Sequence, residues 1–255
     1  MLKNTFYTYF SHKGKSILVR FLGIWLLLWT TLVTLHVWPD PIARAVLEMA
    51  WGVIIIWIFV CGGFMYRFRN QIKNTVQAIQ VHWQIKFVFL MTLLALLEEA
   101  ITTLMTNLAP LFGVGIGEAY ITASTNFFDV VFFHSVIVFI GPIIFWSLAL
   151  KKYDFSPFAA FLIFGISGIF AEVTFGGPQH FLEFAFWIFV YGLMMYIPAY
   201  SLPSATLRSA KQPRWYHYIL MIFLPALFIP LVAWIPSVVD SNHPQPTHFE
   251  PLKIK

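Results

Sequence analysis

The sequence predicts an all-α integral membrane protein of seven transmembrane helices, with the N-terminus cytoplasmic and the C-terminus outside. Three observations predict that class. Of the 255 residues, 59% are hydrophobic and only 11% are charged, too few for a water-facing surface. Seven apolar stretches come close to the roughly 20 residues that cross about 30 Å of hydrocarbon. Basic residues collect on alternate connections, as they do on the cytoplasmic loops of membrane proteins.

Residues 1–16 read as a short cytoplasmic tail carrying Lys3, Lys13 and Lys15. Span one, 17–37, is too long for a signal-peptide core and lacks a small-residue cleavage pattern after it, so it reads as a retained anchor. Span two, 46–66, holds Cys61, the single cysteine, which excludes an intrachain disulfide. Between 67 and 85, Phe68, Ile72, Ile79 and Trp83 recur near helical spacing among Arg, Asn, Gln and Lys. That pattern predicts an amphipathic helix along the cytoplasmic interface.

Spans three, four, five and six cover 86–106, 127–150, 155–175 and 179–200. In span five, Gly165 and Gly168 share a side with Glu172, and such a small-residue stripe lets a neighbouring helix come close. Span seven, 217–238, contains Pro225, Pro230 and Pro236, each of which removes a backbone donor. A helix so broken is tolerated in a membrane only where the bundle satisfies the freed carbonyls. The transmembrane domain therefore occupies 17–238, and 239–255 reads as an extended outer tail.

Of the 16 Lys and Arg residues, all but Arg44, Lys253 and Lys255 fall on the predicted cytoplasmic side. This placement explains the net charge of +5 by membrane orientation and argues against a nucleic-acid partner. Membrane lipids are the expected surroundings, in the cell (plasma) membrane. A cytoplasmic N-terminus also disfavours a receptor, and no lysine lies deep enough in a span to form a retinal Schiff base.

Ionisable side chains are expensive in lipid, so those inside spans are functional candidates by default. Glu98, Glu99, Asp129, His134, Glu172, His180 and Glu183 all fall at or near the outer face. Glu98 and Glu99 lie about 18 to 20 Å from the cytoplasmic end of span three and point about 100° apart. Thr92, Ala95, Glu99, Thr102 and Thr106 form a small, polar stripe, which predicts that Glu99 faces the polar interior. His134 lies about 10 Å below the outer end of a straight span four. His180 and Glu183 share a helix face with Trp187 and Tyr191, a spacing that suits a common metal or a proton pair. Glu99, His134, His180 and Glu183 together make a donor set suited to zinc, manganese or iron. Plainer readings stand beside these. Asp129 can flank a helix end, His180 and Glu183 can be solvated at the interface, and His134 can bond between helices. Glu99 is the hardest to explain that way.

Glu98-Glu99, His134 and His180 on successive helices resemble the CAAX prenyl protease and bacteriocin-processing family of intramembrane proteases. That family carries Glu-Glu-x-x-x-Arg, then Phe-x-x-x-His, then His-x-x-x-Asn. The resemblance covers 98–184, and Thr103, Val130 and Phe184 stand where the family has Arg, Phe and Asn. It implies a glutamate that activates water for peptide hydrolysis, with His134 and His180 positioning or stabilising the oxyanion. Motif position makes Glu98 the base, whereas helical phase favours Glu99.

Three function classes follow from the sequence. One is an intramembrane hydrolase, glutamate-based or metal-assisted, acting on a membrane-embedded peptide or lipid-linked substrate. Another is a proton- or ion-coupled transporter. The last is a non-catalytic membrane subunit or assembly factor whose polar residues join helices.

Overall fold

The structure, a computed structural model, describes residues 12–229 and 234–235. Among these residues the regular structure is helical, and pairing is limited to the isolated bridges Ile116 to Ala119 and Tyr153 to Lys211. Helix α1 is His12–Val37. Helix α2, Pro41–Arg67, begins at Asp40, whose Oδ1 accepts from the amides of Ile42 at 2.9 Å and Ala43 at 3.1 Å. Pro41 occupies the first turn, where its missing N–H leaves no bond unmade. Ile54–Cys61 within α2 is π-helical.

Helix α3, Arg69–Ala78, is followed by α4, Trp83–Asn107. Helices α5, Phe127–His134, and α6, Val136–Lys152, meet at an angle of 49°. Helix α7, Pro157–Gly176, is capped by Ser156, and α8 is Phe184–Tyr200. The single turn α9, Ala205–Arg208, precedes α10, Trp215–Phe228, which tightens to a 3-10 helix from Leu224.

Four helices, α1, α2, α4 and α7, are long and apolar enough to cross a bilayer, and α5 with α6 makes a fifth if the bent pair is one span. The remaining two apolar helices, α8 and α10, are shorter than that. The sequence predicts a sixth span from 179, but Pro178–Phe181 forms a 3-10 turn after Gly177 at φ +108°, and α8 starts only at Phe184. The expected seventh span tightens to a 3-10 helix over Leu224–Phe228, around Pro225. Pro230, Pro236, the first 11 residues and the tail 239–255 lie outside the described residues. The amphipathic segment is also shorter than 67–85. Phe68 breaks from helical geometry, α3 ends at Ala78, and Trp83 already belongs to α4.

Helices α7 and α8 pack as an antiparallel pair. The predicted glycine stripe is the reason they come so close. A Cβ on Gly165 would lie 2.8 Å from the Ile188 Cα, and one on Gly168 would enter the Tyr191 ring. Helix α4 lies against both α6 and α8. The buried Trp57 indole donates to the Val190 carbonyl at 3.1 Å and fastens α2 to α8. Ser167 donates to the Ile222 carbonyl at 2.8 Å, beside the break at Pro225, so the bundle does satisfy backbone near that proline.

One end of the bundle gathers three connections. The Gln77 amide donates to the carbonyls of Ser201 and Leu202 at 3.2 and 2.9 Å, and the Tyr200 hydroxyl donates to Asn70 at 2.7 Å. The buried Arg208 guanidinium reaches the Leu150 carbonyl and, at 2.5 Å, Asp154. Lys211 and Lys152 are joined there by a backbone bond of 2.9 Å. Arg67, Arg69, Lys73, Lys86, Lys151, Lys152, Arg208, Lys211 and Arg214 thus belong to one basic end.

Candidate functional site

Away from the basic end, α4 carries Glu98 and Glu99 into the interior, where they are 5% and 6% exposed. Their 100° separation on the helix gives them different neighbours. Glu99 Oε2 accepts from the Thr102 hydroxyl at 3.1 Å, one turn along the same helix, and from the Thr122 hydroxyl at 3.2 Å. The Ser135 hydroxyl is a third hydrogen-bonding partner of Glu99. Glu98 instead stands in electrostatic contact with Glu172, as well as with Glu99. The polar stripe on α4 therefore leads Glu99, and not Glu98, to a set of hydroxyls.

Two features of the backbone bring these hydroxyls in. The connection 108–126 folds back over the end of α4, held by Asn107, which donates to the Thr125 carbonyl at 2.7 Å, and by Thr106, which accepts from the Ile121 amide at 3.3 Å. That return lowers Thr122 onto Glu99. Val130–His134 then forms a π turn, in which i to i+5 bonding widens and underwinds the helix, and Ser135 closes it by donating its amide to the Val130 carbonyl at 2.8 Å. The turn sets Ser135 toward α4 and leaves His134 exposed. His134 Nδ1 still lies 2.9 Å from the Ser135 hydroxyl. Carboxylate, hydroxyl and imidazole form a chain from the interior to the surface.

A second group sits beside the first. The Tyr191 hydroxyl on α8 donates to Glu172 on α7. Tyr191 also feels Glu98 and Glu99, and Glu172 feels His180 and Glu183. His180 Nδ1 lies 2.6 Å from Glu183 Oε2, which also accepts from the Trp187 indole at 3.0 Å. The His180 ring lies over Gly176 and edge-on to Trp187 at 5.5 Å. His180 and Glu183 are 20% and 36% exposed, so this pair is the shallow end of the network.

Of the residues the sequence singles out, Glu98, Glu99, Glu172, His180 and Glu183 fall into one electrostatic neighbourhood, and His134 is bonded to Ser135 at its edge. Asp129 accepts from Ser124 at 3.3 Å near the start of α5. Among the described residues no three His, Cys, Asp or Glu side chains come together as a metal-binding group. His134 points outward, and His180 and Glu183 bond to each other. The expected set of Glu99, His134, His180 and Glu183 for zinc, manganese or iron is not assembled.

Sequence reasoning missed Thr122 and Ser135. The signal was present for one of them, because Thr122, Ser124, Thr125 and Asn126 crowd hydroxyls and an amide just before α5. The hydroxyl of Thr103 is buried and has no hydrogen-bond partner. It occupies the position of the arginine in the family motif, one turn beyond Glu99. No family model, no curated protein and no solved structure matches this chain.

Proposed function

We propose that this membrane protein is a glutamate-based intramembrane hydrolase, a diverged relative of the CAAX prenyl protease and bacteriocin-processing proteases. The observation that carries the reading is Glu99, a buried carboxylate held by hydroxyls from its own helix, the 108–126 connection and the foot of α6. A general base must be oriented toward the proton it removes, and this arrangement orients one. In this reading Glu99 takes a proton from water as the water oxygen attacks a substrate carbonyl. The C–O bond forms, the oxyanion collapses, and the proton passes to the departing amine or alkoxide. The Thr103 hydroxyl, buried and unpartnered one turn away, is a donor this reading assigns to the substrate carbonyl. Substrate is a membrane-embedded peptide or lipid-linked ester reached from within the bilayer.

The reading takes α8 and α10 as the sixth and seventh spans, with the basic end cytoplasmic in the cell membrane. Glu99 then lies in the outer half. The test is to profile new peptide N-termini and released lipid headgroups in membranes from cells that express the wild type, Glu99→Gln or no protein. Products made by the wild type and lost in Glu99→Gln support hydrolysis. Identical profiles in all three would sink it.

A second reading, a proton-coupled carrier, is favoured by the continuity of the network from Glu98 and Glu99 through Glu172 and Tyr191 to His180 and Glu183. Such chains are the means by which membrane proteins pass protons. Acidification of liposomes by the wild type, absent in Glu172→Gln, would favour it over hydrolysis.

A further inference from the structure

The basic end holds a feature that the carboxylate site does not use. Helix α3 and the end of α2 enclose a groove of about 310 Å³ lined by Phe64, Phe68, Gln71, Ile72, Thr75 and Val76. Its wall is mostly apolar, and Arg67 stands beside it over the ring of Phe68, with Arg69 and Lys73 further round α3. Arg67 and Arg69 bracket Phe68 in the chain, and Lys73 follows Ile72. Each cation is set against an aromatic face: Arg67 over Phe68 at 5.6 Å, Arg69 over Tyr66 at 4.2 Å, and Lys73 over Tyr200 at 5.6 Å. Such contacts hold the stems in place and leave the charged heads with donors to spare.

No acid answers these charges. Between Glu48 and Glu98 the chain has no Asp or Glu at all. Asp154, the one acid in the connections of this end, is already paired with Arg208. Exposed apolar side chains beside unneutralised cations match one class of molecule, with an acyl chain at one end and a phosphate at the other.

We propose that this groove binds an anionic phospholipid, its acyl chain along Phe64, Phe68 and Ile72 and its headgroup phosphate at Arg67, with the nearby charges of Arg69 and Lys73 adding to the attraction. The site tethers α3 to the membrane surface at the place where α3 is bonded to the end of α8. It is independent of the hydrolase reading and of which side of the membrane faces the cytoplasm. Juxtamembrane clusters of Lys and Arg attract anionic headgroups, and that attraction weakens with salt.

The experiment measures thermal unfolding of the full chain in nanodiscs of phosphatidylcholine, with and without about a third phosphatidylglycerol. Native mass spectrometry counts retained lipid in parallel. The wild type should gain several degrees from phosphatidylglycerol and retain at least one copy of it. The triple variant Arg67→Gln, Arg69→Gln, Lys73→Gln should lose most of the gain, whereas Lys151→Gln, Lys152→Gln at the same end should keep it. Equal melting in both lipids, an undiminished gain in the triple variant, or an equal loss in both variants would overturn the site. An equal gain from inorganic phosphate in phosphatidylcholine discs would assign these cations to a free anion and overturn the lipid. Should the triple variant fail to fold, Phe68→Ala with all cations intact should lower the retained phosphatidylglycerol, and an unchanged count would overturn the groove.

Discussion

The hydroxyl of Thr122 donates to Glu99 Oε2 at 3.2 Å, so a carboxylate within a membrane helix is oriented by a connection 23 residues further along the chain. Thr122→Ala should therefore leave Glu99 buried but less constrained, at a cost of about 0.5–1.5 kcal/mol for the lost bond. Thr122→Ser should restore it. Thermal unfolding in detergent checks the stability effect. Comparing Thr122→Ala with Glu99→Gln in the membrane-product profile checks function, with Thr122→Ala expected to lower product formation and Glu99→Gln to abolish it.

Gly165 supplies a sharper structural test. Its Cβ position lies 2.8 Å from both the Cα and the carbonyl oxygen of Ile188, atoms that cannot rotate away. Gly165→Ala should cost about 1–3 kcal/mol by forcing α7 and α8 apart. Gly23 faces open space, with nothing within 4 Å of an added Cβ, so Gly23→Ala should change stability by less than about 0.5 kcal/mol. Equal effects of the two changes would contradict the packing of α7 on α8.

Arg208 is a buried cation that donates to the Pro203 and Leu150 carbonyls and to Asp154. Asp154→Asn removes the charge but keeps an acceptor, whereas Asp154→Ala removes both. The expected order of stability is wild type, then Asn, then Ala, with a loss of about 1.5–3 kcal/mol for Ala. Because Asp154 is 31% exposed, solvent screening places the effect at the lower end. Denaturant titration with a helical circular-dichroism signal measures it.

Orientation can be read with cysteines in a Cys61→Ser background. Leu111, 76% exposed in the connection after α4, becomes Leu111→Cys, and the exposed Asn74 on α3 becomes Asn74→Cys. A membrane-impermeant thiol reagent added to intact cells should label only Leu111→Cys, and lysis should expose both. Labelling of Asn74→Cys in intact cells would reverse the proposed topology.

Much of this arrangement can be read in the sequence, and the limits have physical causes. Helical phase alone separates Glu99 from Glu98, because a 100° step fixes which side of α4 each takes. The Gly165 and Gly168 stripe likewise forecasts the close approach of α8. His134 is different. A straight span four would carry it on the regular helical phase, but the π turn at 130–134 changes the register by one bond and presents Ser135 to Glu99 instead. Nothing in the apolar run Val130 to Phe133 marks that turn. The return of Thr122 is a long-range contact, invisible to periodicity. The shortening of the sixth span was legible in part, since Gly176, Gly177 and Pro178 mark a turn but do not say that helix resumes only at Phe184.

The 49° bend at Ser135 also changes what the lipid meets. An eight-residue segment such as α5 is about 12 Å long, but inclined by that angle to an upright α6 it rises only about 8 Å. Phe128 and Phe132 are exposed along it and stack on each other at 6.3 Å, forming an aromatic ramp. In a bilayer with α6 upright, the ramp would present less apolar height than the flank of α1, a mismatch that bilayers answer by thinning. If the bent pair is one span, a molecule leaving the lipid phase beside the ramp would cross less hydrocarbon than along the longer helices.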